Sequence, residues 1–151
     1  MTAYKVKKYF RQMRQFDMSG QTDLTQLFSS LKLLVSEDVF VFAHCVPEQV
    51  PRNLSPIMQF EEAEGTTLII AKEDAEQSGI AYEFECKMIT LNVHSSLEAV
   101  GFMAKIASKL AEHQIPVNPV AGFYHDHLFV PVALVEKATH LLEEMAQNTS
   151  S

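Results

Sequence analysis

The chain has 151 residues, 47% of them hydrophobic and 21% charged, with a net charge of −7, two cysteines and no tryptophan. That length accommodates one ordinary core or two small layered units, and it is too short for two well-separated enzyme domains. The acidic balance argues against a general nucleic-acid surface, which needs excess Lys and Arg to displace counterions from phosphate, and no apolar run is long enough to span a bilayer. Cys45 and Cys86, with no secretory leader before them, point to buried thiols in a reducing compartment, so the expected location is cytoplasmic.

Residues 1–17 read as a basic arm. Lys5, Lys7, Lys8, Arg11 and Arg14 all precede the first acid, Asp17, while Val6, Tyr9, Phe10, Met13 and Phe16 recur at helical spacing opposite them. The leading reading is an amphipathic helix that packs its apolar stripe on the body or on a partner chain. The alternatives are an anionic membrane surface and an organellar leader, the latter poor in the serine and threonine such leaders carry. Turn chemistry at Ser19-Gly20 follows, then Thr22 as N-cap of a helix carrying Leu24, Leu27, Phe28, Leu31 and Leu34. From Asp38 to Val46 both alternating faces are apolar, which describes a strand that needs cover on each side. Helices supply one layer; another sheet, the arm or another subunit must supply the second, so a homo-oligomer such as a dimer is expected.

Pro47 to Gly65 is punctuated by prolines and carries an acidic cluster at Glu61, Glu62 and Glu64, with a short strand expected around Met58 to Phe60. Thr66 to Ala71 reads as a strand, Lys72 to Ser78 as a helix, and Tyr82 to Val93 as a long or broken strand. In Ile89 to Val93 apolar residues alternate with Thr90 and Asn92, and the period breaks at Ser95-Ser96. A helix is expected to begin there, with Ser95 and Glu98 as a capping box and Leu97, Val100, Met103, Ala107 and Leu110 on one side. Amides left pointing outward at that start suit a carboxylate. Gly101 would then lie inside a helix, where its cost implies close backbone approach by a ligand or a neighbouring helix.

Extended chain resumes at Val117, and Gly122 to His127 reads as a hairpin whose turn includes His125-Asp126. His94, His125 and His127 invite a metal, but no spacing fixes three ligands around one point, so no cofactor or metal is expected. Ser95 and Ser96 lack a nucleophile-elbow glycine pattern, no glycine-rich phosphate loop is present, and neither cysteine carries a catalytic signature. The chain therefore reads as a non-enzyme. Leu134, Ala138, Leu141, Leu142 and Met145 mark the last helix, before a polar tail at 148–151.

The order helix, strand, strand, helix occurs twice, with Leu68-Ile69-Ile70-Ala71 and Leu128-Phe129-Val130-Pro131 in corresponding places. Topology thus predicts a duplicated α+β unit with helices on one face of a largely antiparallel sheet. VHSSLEAVG at Val93 to Gly101 and NPVAGFYHDHLFVP at Asn118 to Pro131, with EAEG at Glu62 to Gly65 and SGQTDL at Ser19 to Leu24, resemble a group of small stand-alone ACT-like proteins. The resemblance runs from about Met18 to Met145. It implies tandem ferredoxin-like βαββαβ units, 18–84 and 85–147, whose halves can interleave by lending a strand. It also implies a regulatory or sensor protein binding a free amino acid or similar small carboxylate at an interface between modules. The positions it points to are His94, Ser95, Ser96, Gly101, Asn118, Gly122, His125, Asp126 and His127, with Glu62 from the acidic cluster. The ligand carboxylate is expected at Ser95-Ser96, and its ammonium and side chain toward Asn118. A ligand-free assembly module is the competing class, and a metal-dependent enzyme at the histidines a third. Two features depart from the group: the basic arm, and Pro119, which removes an amide and favours a sheet edge or bulge.

Overall fold

The structure, a computed structural model, describes residues 20–149, and the chain divides into two units, 38–86 and 20–37 joined by 87–149. The basic arm, Met18, Ser19 and the last two residues of the tail lie outside the described residues. In chain order the elements are α1 (Leu24–Ser29), β1 (Leu33–Val35), β2 (Phe40–Cys45), β3 (Met58–Glu62), β4 (Gly65–Ala71), α2 (Lys72–Ser78), β5 (Tyr82–Leu91), α3 (Phe102–Glu112), β6 (Asn118–Ala121), β7 (Asp126–Pro131) and α4 (Val135–Thr149).

In the unit 38–86 the strands run antiparallel in the order β3-β4-β2-β5. Register places Val41 opposite Ile70, Ala43 opposite Leu68 and Cys45 opposite Thr66, so one side chain in two from each strand shares a face. Val41, Ala43, Cys45, Leu68 and Ile70 bury that face against Ala75 of α2, with Val50, Leu54 and Ile80 at its margin. Gly79 closes α2 in the left-handed region at φ 64°, where a glycine pays no Cβ penalty. The opposite face carries Phe40, Phe42, Met58, Phe60 and Ile69, as the doubly apolar pattern of β2 requires. A bulge between Phe40 and Phe42 puts Phe84 at φ 59° and its ring edge-on to Phe42 at 5.7 Å. Cys86 is buried beside it, donating Sγ–H to the Phe40 carbonyl at 3.3 Å, and burial pushes its thiol up to about 12. Both cysteines are free and buried.

In the other unit β5 is flanked by β1 and β7, and β6 forms the edge beyond β7. Pro119 therefore sits on an edge strand, where its missing amide breaks no ladder bond deeper in the sheet. Ile89 and Leu91 of β5 and Leu128 and Val130 of β7 face one way, onto Leu27 and Phe28 of α1, Phe102, Ile106 and Leu110 of α3, and Ala138, Leu141 and Leu142 of α4. Phe28 and Phe102 meet at 5.1 Å between centroids. Each fully buried aliphatic or aromatic side chain in this cluster is worth about 1.5–3 kcal/mol, which is why three helices gather on one face. The result is the expected α+β architecture, antiparallel with helices on one side. The two repeats of the chain correspond as well, since β4 runs into α2 and β7 into α4 through a short 3-10 turn at Val132–Leu134.

The first helix differs from its expected extent. Asp23, not Thr22, caps α1, accepting the Gln26 amide on its carboxylate at 2.9 Å, and the helix stops at Ser29. Leu33 to Val35 leave helical spacing because they pair with Leu91, Thr90 and Ile89 of β5, a ladder that satisfies backbone groups an isolated helix end would leave open.

Candidate functional site

The loop between β5 and α3, 92–101, and the β6-β7 turn, 122–125, hold most of the sequence-derived site residues. A helix does not begin at Ser95. Ser95 Oγ donates to the Asp126 carboxylate at 2.8 Å, both residues being buried, so it ties the loop to the start of β7 instead of capping. Ser96 Oγ accepts the Glu98 amide at 3.1 Å in a two-residue turn, while the Ser96 carbonyl accepts the Ala99 amide at 2.9 Å. The Ser96 amide itself donates to the Gln21 carbonyl at 2.9 Å, and the Gln21 amide to the His94 carbonyl at 2.8 Å, making a parallel bridge between Gln21 and Ser95. The chain's own residues 20 and 21 thus occupy the corner assigned to a carboxylate. A Cβ on Gly20 would lie 2.6 Å from Ser96 Cα, so only glycine fits there.

The helix starts seven residues later, at Phe102, with Gly101 as its N-cap at φ 90°. Gly101 is a left-handed cap, not a helix-interior residue, and the helical face is Phe102, Ile106 and Leu110. Leu97 and Val100 are 66% and 86% exposed on the loop. No side chain caps α3 and no acid stands in its first turn.

The β6-β7 turn is Gly122 to His125, and Asp126 already pairs with Ala121 in the ladder, so the turn lies one residue earlier than expected. Gly122 donates its amide to the His125 carbonyl at 2.9 Å. His94 meets Tyr124 at 5.3 Å with the rings tilted by 52°, and Tyr124 meets Phe123 edge-on at 4.9 Å, joining the two loops through aromatic contact. His127 faces away from the helices and bonds Thr90 Oγ1 through Nδ1 at 3.0 Å. Burial holds the imidazoles of His125 and His127 below their ordinary 6.5; the charges of His127 and His94 add to this at His125, and Asp126 opposes it at both.

His94, Ser95, Ser96, Gly122, His125, Asp126 and His127 are therefore neighbours. Asn118 stands off from Ser95 and Asp126: it opens β6 opposite Phe129, three residues along β7 from Asp126, about 10 Å at strand rise, on the sheet face away from the helices that it shares with His127. Gly101 lies against Leu24. Glu62 belongs to the unit 38–86, where its carboxylate accepts the Thr67 hydroxyl. The residues that sequence reasoning passed over are Gln21, Tyr124 and Phe123; the run Gly122-Phe123-Tyr124, aromatic in a turn, was their signal. Among the described residues no cluster of three His, Cys, Asp or Glu is placed to hold a metal. No helix among them is long and apolar enough to cross a membrane.

Two profiles of the ACT domain match the sequence, one over residues 19–87 and one over 83–144. A Vibrio cholerae protein of unknown function, described as a possible transport protein, is 39% identical over 85% of this chain and 99% of its own, with a TM-score of 0.72. The chain belongs to the ACT domain family, whose members typically bind small molecules such as amino acids for regulation. An Agrobacterium tumefaciens protein shares the fold at 16% identity, covering 77% of this chain and 89% of its own, with a TM-score of 0.65. So does the regulatory subunit of aspartate kinase from Thermus flavus, at 11% identity, 75% and 95% coverage and a TM-score of 0.56. No curated protein matches the sequence.

Proposed function

We propose that this chain is a cytoplasmic regulatory module that binds a free amino acid or similar small carboxylate at the loop 92–101 and the facing turn 122–125. The observation that carries the reading is the start of α3, which in an ACT domain follows the first strand and here has neither a side-chain cap nor an acid in its first turn. An uncapped helix start accepts a carboxylate favourably. The carboxylate thus goes to the Gly101 end of the loop, and the ammonium and side chain go toward Ser96, His94 and Tyr124. The Ser95–Asp126 bond keeps the loop in place without touching ligand. Free, buried thiols agree with a reducing compartment.

Thermal-shift measurements across the common amino acids test this. A ligand at a hundredfold its Kd adds about 2.7 kcal/mol, roughly 5–11 °C in Tm for a chain of this size. Ser96→Ala and Tyr124→Ala should each remove the shift while leaving the ligand-free Tm in place. A flat response to every amino acid, or a shift untouched by both variants, would overturn the reading. Self-assembly is a second reading, favoured by Leu97 and Val100 standing out of the loop. If they seat a second copy, Val100→Asp lowers the sedimentation mass.

A further inference from the structure

In the unit formed by 20–37 and 87–149, a groove of about 410 Å³ runs between the last turns of α4 and the link from α1 to β1. α1 stops at Ser29 and the chain straightens because Leu33 joins the β5 ladder opposite Leu91, whereas α4 stays helical to Thr149; the divergence opens the crevice. Leu142 and Ala146, four apart and so on one face of α4, line one wall, and Leu31 and Leu33 line the other. Leu31 and Leu142, 9% and 0% exposed, belong to the core cluster, while Leu33 and Ala146 are only partly buried. The volume falls within the roughly 300–1,000 Å³ of small-ligand pockets. None of the lining residues belongs to the loop 92–101 or the turn 122–125.

Two opposite charges stand at this apolar crevice. Lys32 and Glu143 both line it, both are exposed, and neither side chain has an ion-pair or hydrogen-bond partner among the described residues. The next acid along α4 differs, since Glu144 is engaged by His140 at 3.5 Å. We propose that the groove binds a small aliphatic zwitterion of the α-amino acid type, at a site separate from the loop 92–101. The carboxylate goes to the Lys32 ammonium, the ammonium to the Glu143 carboxylate, and the hydrocarbon chain lies along Leu33 and Ala146. A carboxylate and an ammonium one carbon apart answer both charges at once, whereas a fatty acid or a simple amine answers one and is repelled by the other. An apolar peptide segment would cover both charges and leave them without partners, at a desolvation cost. A second copy related by a two-fold axis would set groove against groove, and two concavities do not fill each other.

L-Leucine is the probe, and methyl NMR of the full-length protein is the readout. Titration should shift the Leu33 and Ala146 methyl signals saturably, and Ser96→Ala, which alters the loop 92–101, should leave those shifts in place. Lys32→Gln and Glu143→Gln, both at exposed positions, should each weaken leucine by about two- to fivefold. Isocaproate, which keeps only the carboxylate, should bind more weakly than leucine; Lys32→Gln should weaken it further, and Glu143→Gln should not. Absence of a saturable shift at Leu33 and Ala146 overturns the proposal, as does a leucine affinity untouched by both variants or an isocaproate affinity equal to that of leucine. Leucine shifts confined to the loop 92–101 and the turn 122–125 uphold that site and overturn this one. Broadening of the two methyl signals with protein concentration, without leucine, assigns the groove to a second copy and overturns it as well.

Discussion

Ser95 carries more structural weight than its place in a serine pair implies. Its hydroxyl is the hydrogen-bond donor to a buried carboxylate oxygen of Asp126, and removing a donor from a buried acceptor costs roughly 1–3 kcal/mol, more if the acceptor is charged. Ser95→Ala should therefore lower urea stability by at least that much, whereas Ser96→Ala, losing a turn bond on the exposed loop, stays within about 0.5 kcal/mol. The pair's chemistry was legible in the sequence, but which serine faced inward was not, because that depends on Asp126, thirty-one residues away. The nearby imidazoles give a pH dependence. His125 and His127 hold their protons less tightly in the folded chain than in the unfolded one, mainly through burial. Their stabilising contribution is complete above the ordinary 6.5 and is lost as pH falls through their lowered folded values. Calorimetry between pH 8 and 5 should show Tm falling with acid, and His127→Gln should flatten that fall.

At the level of elements, α3 separates pattern from geometry. Serine, glutamate and hydrophobic periodicity all favour a helix from Ser95, yet residues 20 and 21 bridge to the loop there, and the chain turns into helix only at Phe102. Gly101 tests the two placements by sign. In a helix interior, Gly101→Ala would raise stability by about 1 kcal/mol; at φ 90° it should lower it by about 1–2 kcal/mol, because Cβ crowds the following carbonyl. Thermal melts of that one variant decide. Strands were read more securely than this helix. β2 follows the apolar run Asp38 to Val46, β4 the expected Thr66 to Ala71 and the end of β5 the alternation from Ile89, and α2, with Gly79 just past its end, spans the expected Lys72–Ser78. The first helix lost its last turn to strand β1 because the edge of β5 at 89–91 offered a complete ladder, a partner no local window contains.

For the molecule, the spatial units do not follow the order of the chain. Residues 20–37 contribute α1 and β1 to the core of 87–149, and 38–86 intervenes with a core of its own. Ile106→Ala, at a fully buried position, should cost about 2–5 kcal/mol. Hydrogen exchange in that variant should quicken in Leu24–Ser29 and Leu33–Val35 together with α3 and β7, and less in β2 only a few residues further on. Equal loosening of β2 would contradict two separate cores. Composition, charge segregation and apolar patterning settled the class of fold, the succession of elements from β2 onward and the resemblance to the ACT family, since those follow from each residue's own chemistry and its near neighbours. Only tertiary structure decided that Gly20 and Gln21 fill the corner after Val93, that Gly101 caps instead of spacing a helix, and that Asn118 stands apart from Ser95 and Asp126. Each of those depends on contacts between segments distant along the chain, and such contacts form because burial and backbone pairing there outweigh local preference.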